Sequence, residues 1–293
     1  MQNNSLLAQL ELVYPKLSKS HKRVADFILN NYEKAAYYTA ARLGATVDVS
    51  ESTVVRIATV FGYDGYPEFI EALQEDIKDR LSSLQRMEVA SVTMMDEDVL
   101  TKVLTADKKA ISTTLKNISR EDFEGAAEAL NKSKKIYILG VRSAAPLANF
   151  IKFYFDMVYD NVILVNTDSE AEMFEKLFKI TENDLCLAIS FPRYSKQVIN
   201  VLKFVYEKGI KIIAITDSKL SSPLASYATY VLEAKSNMAS FIDSLVAPLS
   251  VINALIVAGS LKRKDKVLTN FSELENVWRK HNVYELYEVN GDE

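Results

Sequence analysis

Three loops rich in hydroxyl groups contain the residues best suited to chemistry in this sequence. Ser143 follows the apolar run "KIYILG", and "ISFPRYSKQ" places Ser190 and Ser195 five residues apart with Arg193 between them. A third loop, "ITDSKLSSPLA", is again rich in serine. Hydroxyl groups, a guanidinium and the free amides at a helix N-terminus together bind phosphate and other anions. The pattern therefore predicts an anion-binding site, with ordinary helix capping by these serines as the alternative.

Five short apolar runs predict the sheet that would position these loops. They are "KIYILG", "NVILVN", "DLCLAIS", "IKIIAIT" and "TYVLEA". The first four are separated by stretches long enough for a crossover helix, such as "APLANFIKFYFDMVY". Apolar runs that alternate with helical patterns are typical of a parallel sheet covered on both faces. Ligands bind beyond the carboxyl ends of the strands in such sheets, so we expect the three loops at one edge.

The N-terminal region has helical periodicity instead of strand-like runs. Apolar residues recur at helical spacing in two stretches, Val24, Phe27 and Ile28 in the first and Val54, Ile57, Ala58 and Phe61 in the second. The segment "TAARLGATVDVSESTVVRIATVF" predicts a helix from Thr39 to Gly44, a turn, and a second helix from Ser50 to about Phe61. Several small helices that pack on one another are therefore expected.

Length and composition exclude several classes of protein. The chain has 293 residues, which suits two domains, and its formal net charge of −4 indicates neither a polycation nor a polyanion. Its single cysteine, Cys186, excludes an internal disulfide framework. The N-terminus lacks a signal-peptide pattern, and no apolar run reaches the length of about 18 residues that a membrane span needs. We therefore expect a cytoplasmic protein without membrane association, cofactor or metal ion.

Two long stretches resemble known protein families. The stretch from "KIYILGVRSAAPLANF" through "ISFPRYSKQVINVLKFVYEKGIKIIAITDSKLSSPLASYATYVL" resembles a SIS (sugar isomerase) domain, a phosphosugar-binding module. The N-terminal region, with "VSESTVVRIATVFGYDGYPEF", resembles the helix-turn-helix domain of the RpiR family of transcriptional regulators. The resemblance implies an all-α helix-turn-helix domain, then an α/β SIS domain whose five-stranded parallel sheet is sandwiched by helices. We expect the domains at residues 1–80 and 107–293, the latter with a C-terminal helical tail, joined by a linker at 81–106.

The resemblance to SIS domains also implies which residues bind a sugar phosphate effector. Ser143 matches the serine of the first loop that contacts the phosphosugar, and Ser190 and Ser195 match the first and last hydroxyls of the phosphate loop. Ser240 resembles the small polar position that lines the sugar side. The letters "FPRY" replace the small, glycine-containing turn common in that loop. We therefore expect Arg193 to supply charge where backbone amides contribute less.

The resemblance to RpiR regulators implies that operator DNA is a partner, with the second helix of the motif entering the major groove. The candidate contacts to base edges are Ser50, Glu51, Ser52, Thr53 and Arg56, and those to DNA phosphates are Lys19, Lys22 and Arg23. Residues 1–80 carry more acidic than basic residues, so a helical interaction domain that binds no DNA is the alternative. Specific binding normally needs two reading heads, which predicts a homodimer or homotetramer.

Catalysis by the SIS-like region is not expected. Aldose–ketose isomerisation needs a base and often a histidine that opens the sugar ring, yet residues 107–260 contain no histidine. Carboxylates do occur near the predicted strand ends, at Asp168, Glu170, Asp217 and Glu233, as a few acids would by chance. We therefore expect an effector that modulates operator binding and no enzyme. The alternatives are a sugar-phosphate isomerase with an accessory helical domain, and a sensor that acts only through protein partners.

Overall fold

The computed structural model describes residues 5–77, 81–94, 98–238 and 241–284. The chain divides into two compact units. The helical unit comprises Met1–Ala106 and Asn237–Ser244, and the sheet unit comprises Asp107–Ser236 and Leu245–Glu293. The helical unit is therefore not contiguous in sequence, because it includes a short segment from late in the chain.

The helical unit is built mostly from short helices, three of which begin with a hydroxyl cap. They are α1 (Leu6–Val13), α2 (Lys19–Asn30), α3 (Tyr32–Ala35), α4 (Ala40–Val47), α5 (Glu51–Val60), α6 (Tyr66–Ile77) and α7 (Ser83–Met94), followed by α8 (Val99–Asn117), which continues past Ala106. The side chains of Ser18, Thr39 and Ser50 each accept a hydrogen bond from a backbone N–H in the first turn of α2, α4 and α5. Such caps satisfy amides that the helix itself leaves unpaired.

One apolar core holds the helical unit together. Its fully buried members include Leu10, Val24, Ile28, Leu43, Val54, Ile57, Ala58 and Phe69. Phe27 and Phe61 are partly buried against this core, so both predicted apolar stripes face inward. The prediction that the first helix of the motif ends at Gly44 is wrong. Gly44 lies buried inside α4, which ends at Val47, and the C-cap residue Asp48 adopts the left-handed conformation with φ 55°.

The sheet unit alternates strands and helices around a five-stranded sheet. Its elements after α8 are α9 (Arg120–Lys132), β1 (Ile136–Leu139), α10 (Ala145–Val158), β2 (Val162–Val165), α11 (Glu170–Leu177), β3 (Leu185–Ile189), α12 (Lys196–Glu207), β4 (Lys211–Thr216), β5 (Tyr230–Glu233), α13 (Val246–Lys262) and α14 (Lys264–Lys280). The strands run in the order β2-β1-β3-β4-β5, and every neighbouring pair is parallel. Each strand coincides with one of the five apolar runs.

Helices cover both faces of this sheet. On one face, Ile136 and Ile138 of β1 pack in a core with α9, α10 and α13. On the other face, Tyr137 and Leu139 pack with α11 and α12. Strands buried on both sides need apolar residues at successive positions, which explains the continuous apolar runs. The expected fold, helical in the N-terminal part and a helix-covered parallel sheet in the C-terminal part, is confirmed.

Helix α13 contributes Val251, Ile252 and Leu255 to the first of these cores. Within the described parts of the chain, no single helix has both the length and the hydropathy of a membrane span. Helices α13 and α14 reach that length and hydropathy only as a pair, which is bent by 97°. This result rests on length and composition alone.

Candidate ligand site and nucleic-acid interface

The topology of the sheet singles out the gap between β1 and β3. From β1 the chain proceeds to β2 on one side, whereas β3, β4 and β5 follow on the other side, so the winding direction reverses at this gap. In open parallel sheets, a crevice forms outside the carboxyl ends of the strands at such a switch point. Leu139 and Ala188 are partners in register across the gap. The loop after β1 carries Ser143, and the loop after β3 carries Ser190, Arg193 and Ser195.

The loop after β3 presents one exposed cation between anchored residues. Ser190 is buried, and its backbone N–H donates to the carbonyl of Ile215 on β4 at 3.3 Å. Phe191 and Pro192 are also buried, whereas Arg193 is exposed. Arg193 adopts the left-handed backbone conformation with φ 62°, which is uncommon for a residue with a side chain. This turn therefore directs Arg193 away from the core while its neighbours remain packed.

Ser195 occupies the N-cap position of α12, but its hydroxyl makes no capping hydrogen bond. Elsewhere in the same unit, Ser119 and Ser169 do cap their helices, with hydrogen bonds of 3.0 and 3.3 Å. Simple helix capping therefore does not explain the half-buried Ser195. Its hydroxyl and the first amides of α12 lie together at a helix N-terminus, where backbone N–H groups favour an anion.

The loop after β1 is built in a similar way around Arg142. Gly140 begins the loop, and a Cβ at this position would lie 2.9 Å from the Cβ of Ala148 on α10, so only glycine allows this approach. Val141 and Ala144 are buried, and the N–H of Ala144 donates to the carbonyl of Val141 at 3.1 Å. Arg142, between them, has φ 53° and is exposed, as is Ser143.

The loop after β4 ties the loop after β3 in place. The hydroxyl of Tyr194 donates to Oδ1 of Asp217 at 2.6 Å, and Asp217 is only 2% exposed. The hydroxyls of Thr216 and Ser222 are 2.8 Å apart. The sequence alone did not indicate this link between two loops. A Tyr in one loop and an Asp in another carry no periodic signal.

Four of the five predicted effector residues lie on the two loops that flank the switch point. They are Ser143, Ser190, Arg193 and Ser195. Ser240 lies outside the described residues. Arg142 was not among the predicted site residues, although its position directly before Ser143 was a signal for it.

The predicted helix-turn-helix is formed by α4, the turn at residues 48–50 and α5. A Cβ on Gly44 would lie 2.8 Å from the carbonyl oxygen of Val49, so glycine is what lets the turn lie against α4. Arg23 of α2 donates from Nη1 to the carbonyl of Asp48 at 2.8 Å and to its Oδ2 at 3.2 Å. Arg23, predicted to contact DNA phosphate, therefore also holds the turn.

The start of α5 is accessible, as reading a groove requires. Ser50, Glu51, Ser52 and Arg56 are exposed, and Thr53 is half-buried. The hydroxyl of Ser50 accepts from the backbone N–H of Thr53 at 3.3 Å and lies 2.9 Å from each of the hydroxyls of Ser52 and Thr53. On α2, Lys19 and Arg23 are exposed and Lys22 is half-buried, with its ammonium 5.4 Å from the ring of Tyr14.

A buried ion pair in the helical unit was not predicted. Arg86 of α7 is 2% exposed and donates from Nη1 to Oδ1 of Asp243 at 2.7 Å. Met238, from the same late segment, lies 3.9 Å from the hydroxyl of Tyr37. Burial raises the pKa of Tyr37 to about 12, and the negative charge of Asp243 adds to that rise against the opposing effect of Arg86.

Comparison with known proteins agrees with both halves of this description. Residues 4–80 match the helix-turn-helix domain of the rpiR family, and residues 129–258 match the SIS domain. An uncharacterised HTH-type transcriptional regulator of Haemophilus influenzae is 26% identical over 78% of this chain and 80% of its own length. The HTH-type transcriptional regulator HexR of Pseudomonas aeruginosa is 23% identical over 88% of this chain and 90% of its own length.

A solved structure of Vibrio vulnificus NanR, complexed with ManNAc-6P, superposes with a TM-score of 0.57 over 94% of this chain and 98% of that one, at 21% identity. At this identity the likeness concerns the fold. A helix-turn-helix unit followed by a sugar-isomerase-type sheet defines a class of DNA-binding transcriptional regulators with an effector domain. This chain belongs to the rpiR family of helix-turn-helix regulators that carry a SIS domain.

Proposed function

We propose that the protein regulates transcription by binding a sugar phosphate at the carboxyl edge of the sheet, and that this effector changes its affinity for operator DNA. The observation that carries the proposal is the placement of two loops at the carboxyl ends of the strands that flank the switch point. Ser143 lies on one flanking loop, and Ser190, Arg193 and Ser195 lie on the other. Hydroxyls, a guanidinium and the amides at the start of α12 suit the phosphate ester. Ser240 completes this proposed set.

The DNA-binding role is assigned to the start of α5. Ser50, Glu51, Ser52, Thr53 and Arg56 are proposed to meet base edges in the major groove. Lys19, Lys22 and Arg23 on α2 are proposed to contact DNA phosphates, which fixes orientation without reading sequence. The effector acts by shifting the population of DNA-competent arrangements of the regulator.

The effector domain is proposed to bind without catalysis. The chain has no histidine between residues 107 and 260. Asp217 accepts from Tyr194, Glu233 accepts from the backbone N–H of Lys219 at 2.8 Å, and Glu170 accepts from Asn200 at 3.1 Å. Each of these three carboxylates already accepts a hydrogen bond from the protein, which supports a structural role for them. Incubation with sugar phosphates should therefore yield no isomer, and a detected product would favour the sugar-phosphate isomerase instead.

The remaining features of the proposal concern organisation. We assign residues 1–80 to the DNA-binding domain, 81–106 to a connecting region that includes α7 and the start of α8, and 107–293 to the effector domain with its helical tail. The protein is proposed to act in the cytoplasm as a homodimer or homotetramer, because two heads are needed to read two half-sites.

Two measurements test this function. A thermal-shift screen against sugar phosphates, with ManNAc-6P among them, should reveal at least one that raises the melting temperature. A gel shift on DNA that flanks the gene should then show a complex whose affinity changes when that ligand is added. Arg56→Ala should weaken this complex by about 1–3 kcal/mol if Arg56 reads a base. Failure of every ligand to stabilise the protein would contradict the effector role, and absence of any DNA complex would favour a sensor of protein partners.

A further inference from the structure

Two arginines, and not one, lie at the tips of the loops that flank the switch point. Arg142 and Arg193 are both exposed, and both adopt positive φ, at 53° and 62°. Only two other non-glycine residues in the described parts of the chain do so, Asp48 and Asn282. Residues with side chains adopt this region at a cost, and such conformations concentrate at functional sites.

Each arginine is held in this conformation by packed neighbours. Val141 and Ala144 are buried around Arg142, and a backbone hydrogen bond of 3.1 Å closes the turn between them. Phe191 and Pro192 are buried before Arg193. In both loops the guanidinium is therefore the part that points away from the core, on a backbone that has little freedom to relax.

The two loops start side by side. Leu139, the last residue of β1, is the register partner of Ala188 in β3, and parallel strands lie about 4.8 Å apart. Arg142 follows three residues after Leu139, and Arg193 follows five after Ala188. The two loops thus leave neighbouring strand ends, and each arginine lies within a few residues of the switch point.

The charge of Arg142 has no acidic partner among the ion pairs formed by the described residues of the sheet unit. The acidic side chains closest in sequence to these loops are engaged elsewhere, since Asp156 is paired with Lys152 and Asp184 accepts hydrogen bonds from Thr181. In the proposed site, Arg193 and the hydroxyls around it bind the phosphate ester. A second guanidinium at the same edge is complementary to a second negative group on the ligand.

We propose that Arg142 is a further effector-binding residue and that the effector carries two anionic groups, a phosphate ester and a second phosphate or a carboxylate. Arg193 binds the phosphate at the start of α12, and Arg142 binds the second anion across the gap between β1 and β3. This inference rests on the proposed sugar phosphate site and specifies the class of sugar phosphate that it selects.

The experiment compares ligands that differ by one anionic group. Titration calorimetry would measure glucose 6-phosphate against 6-phosphogluconate, and fructose 6-phosphate against fructose 1,6-bisphosphate. The wild-type protein should prefer the doubly anionic member of at least one pair by about 10-fold or more, which is the contribution expected of one charge-assisted contact. Arg142→Gly, which suits the positive φ, should reduce that preference to about 2-fold or less.

Two controls make the result decisive. Lys203→Ala removes an exposed cation from α12, with a side chain 61% exposed, and should leave the preference as in the wild type. Arg193→Gly should weaken both members of a pair, because both carry the phosphate ester. The inference is overturned if the wild type binds monophosphates as tightly as their doubly anionic partners, or if Arg142→Gly keeps the full preference. Failure of every ligand to bind would instead count against the sugar phosphate site itself.

Discussion

The hydroxyl of Tyr194 donates a hydrogen bond of 2.6 Å to Oδ1 of Asp217 and so joins the loop after β3 to the loop after β4. Asp217 is only 2% exposed, so water has little access to replace this donor. Tyr194 directly follows Arg193, and the bond therefore anchors the side of the turn that the buried Phe191 and Pro192 do not hold. This hydrogen bond therefore links two neighbouring loops at the candidate site.

Tyr194→Phe should lower the stability of the protein by about 1–3 kcal/mol, because it removes a donor from a buried carboxylate. The melting temperature would measure this loss. Tyr206→Phe is the matched control, since Tyr206 lies on α12 and is 54% exposed. Equal melting temperatures for the two variants would show that the bond to Asp217 contributes little.

Arg193→Ala should weaken sugar phosphate binding by about 1.5–3 kcal/mol while the fold stays intact, because a charge-assisted contact is lost. Alanine is strained at φ 62°, so Arg193→Gly separates loss of charge from strain in the turn. Calorimetry with a ligand found by the thermal-shift screen would measure both variants. An unchanged affinity in the glycine variant would remove Arg193 from the site.

Gly44→Ala should disturb the helix-turn-helix, because the new Cβ would lie 2.8 Å from the carbonyl oxygen of Val49 and 3.4 Å from the backbone nitrogen of Glu51. We expect a loss of about 1–3 kcal/mol in stability, typical of overpacking, and weaker DNA binding as α5 shifts. Gly65→Ala is the control, because the Cβ there would meet only Pro67 at an ordinary 3.6 Å. Normal DNA affinity in Gly44→Ala would mean that the close contact between α4 and the turn is not needed for DNA binding.

Asp243→Ala should destabilise the helical unit by about 3–5 kcal/mol, because it leaves the charge of Arg86 buried without its carboxylate. Glu207→Ala is the control, since its pair with Lys203 is 3.9 Å long with both side chains 61% exposed. Such an exposed pair should contribute about 0–1 kcal/mol. Chemical unfolding, followed by far-UV circular dichroism at about 222 nm, would compare the stabilities of the two variants. Similar small losses would show that Arg86 does not depend on Asp243.

Much of the fold could be predicted because each strand of a doubly covered sheet must be apolar at successive positions. In β3, Leu185, Leu187 and Ile189 pack in the core on one face of the sheet. Cys186 and Ala188 pack in the core on the other face, so the strand is an uninterrupted apolar run in the sequence. The start of α5 could also be predicted, because Ser50 is a capping residue directly before a segment with helical apolar periodicity. The end of α4 could not be predicted, because a buried glycine that allows close packing has the same sequence signal as a glycine that ends a helix.

The candidate site was only partly predictable. Ser143 and Ser195 could be found because strand ends and helix starts are marked locally in the sequence. The conformation of Arg142 could not, because positive φ at an arginine results from the packing of Val141 and Ala144 and has no signature of its own. The partnership of Arg86 with Asp243 joins residues 157 positions apart, and no periodic pattern connects them.

Because Asn237–Ser244 belong to the helical unit, no single cut in the chain can separate the DNA-reading part from the rest. A fragment that stops at Ala106 would keep the buried Arg86 and lose the carboxylate of Asp243 that pairs with it. An isolated reading head would then need the missing stretch supplied as a peptide, or Arg86→Met, which places an apolar chain where the charge was.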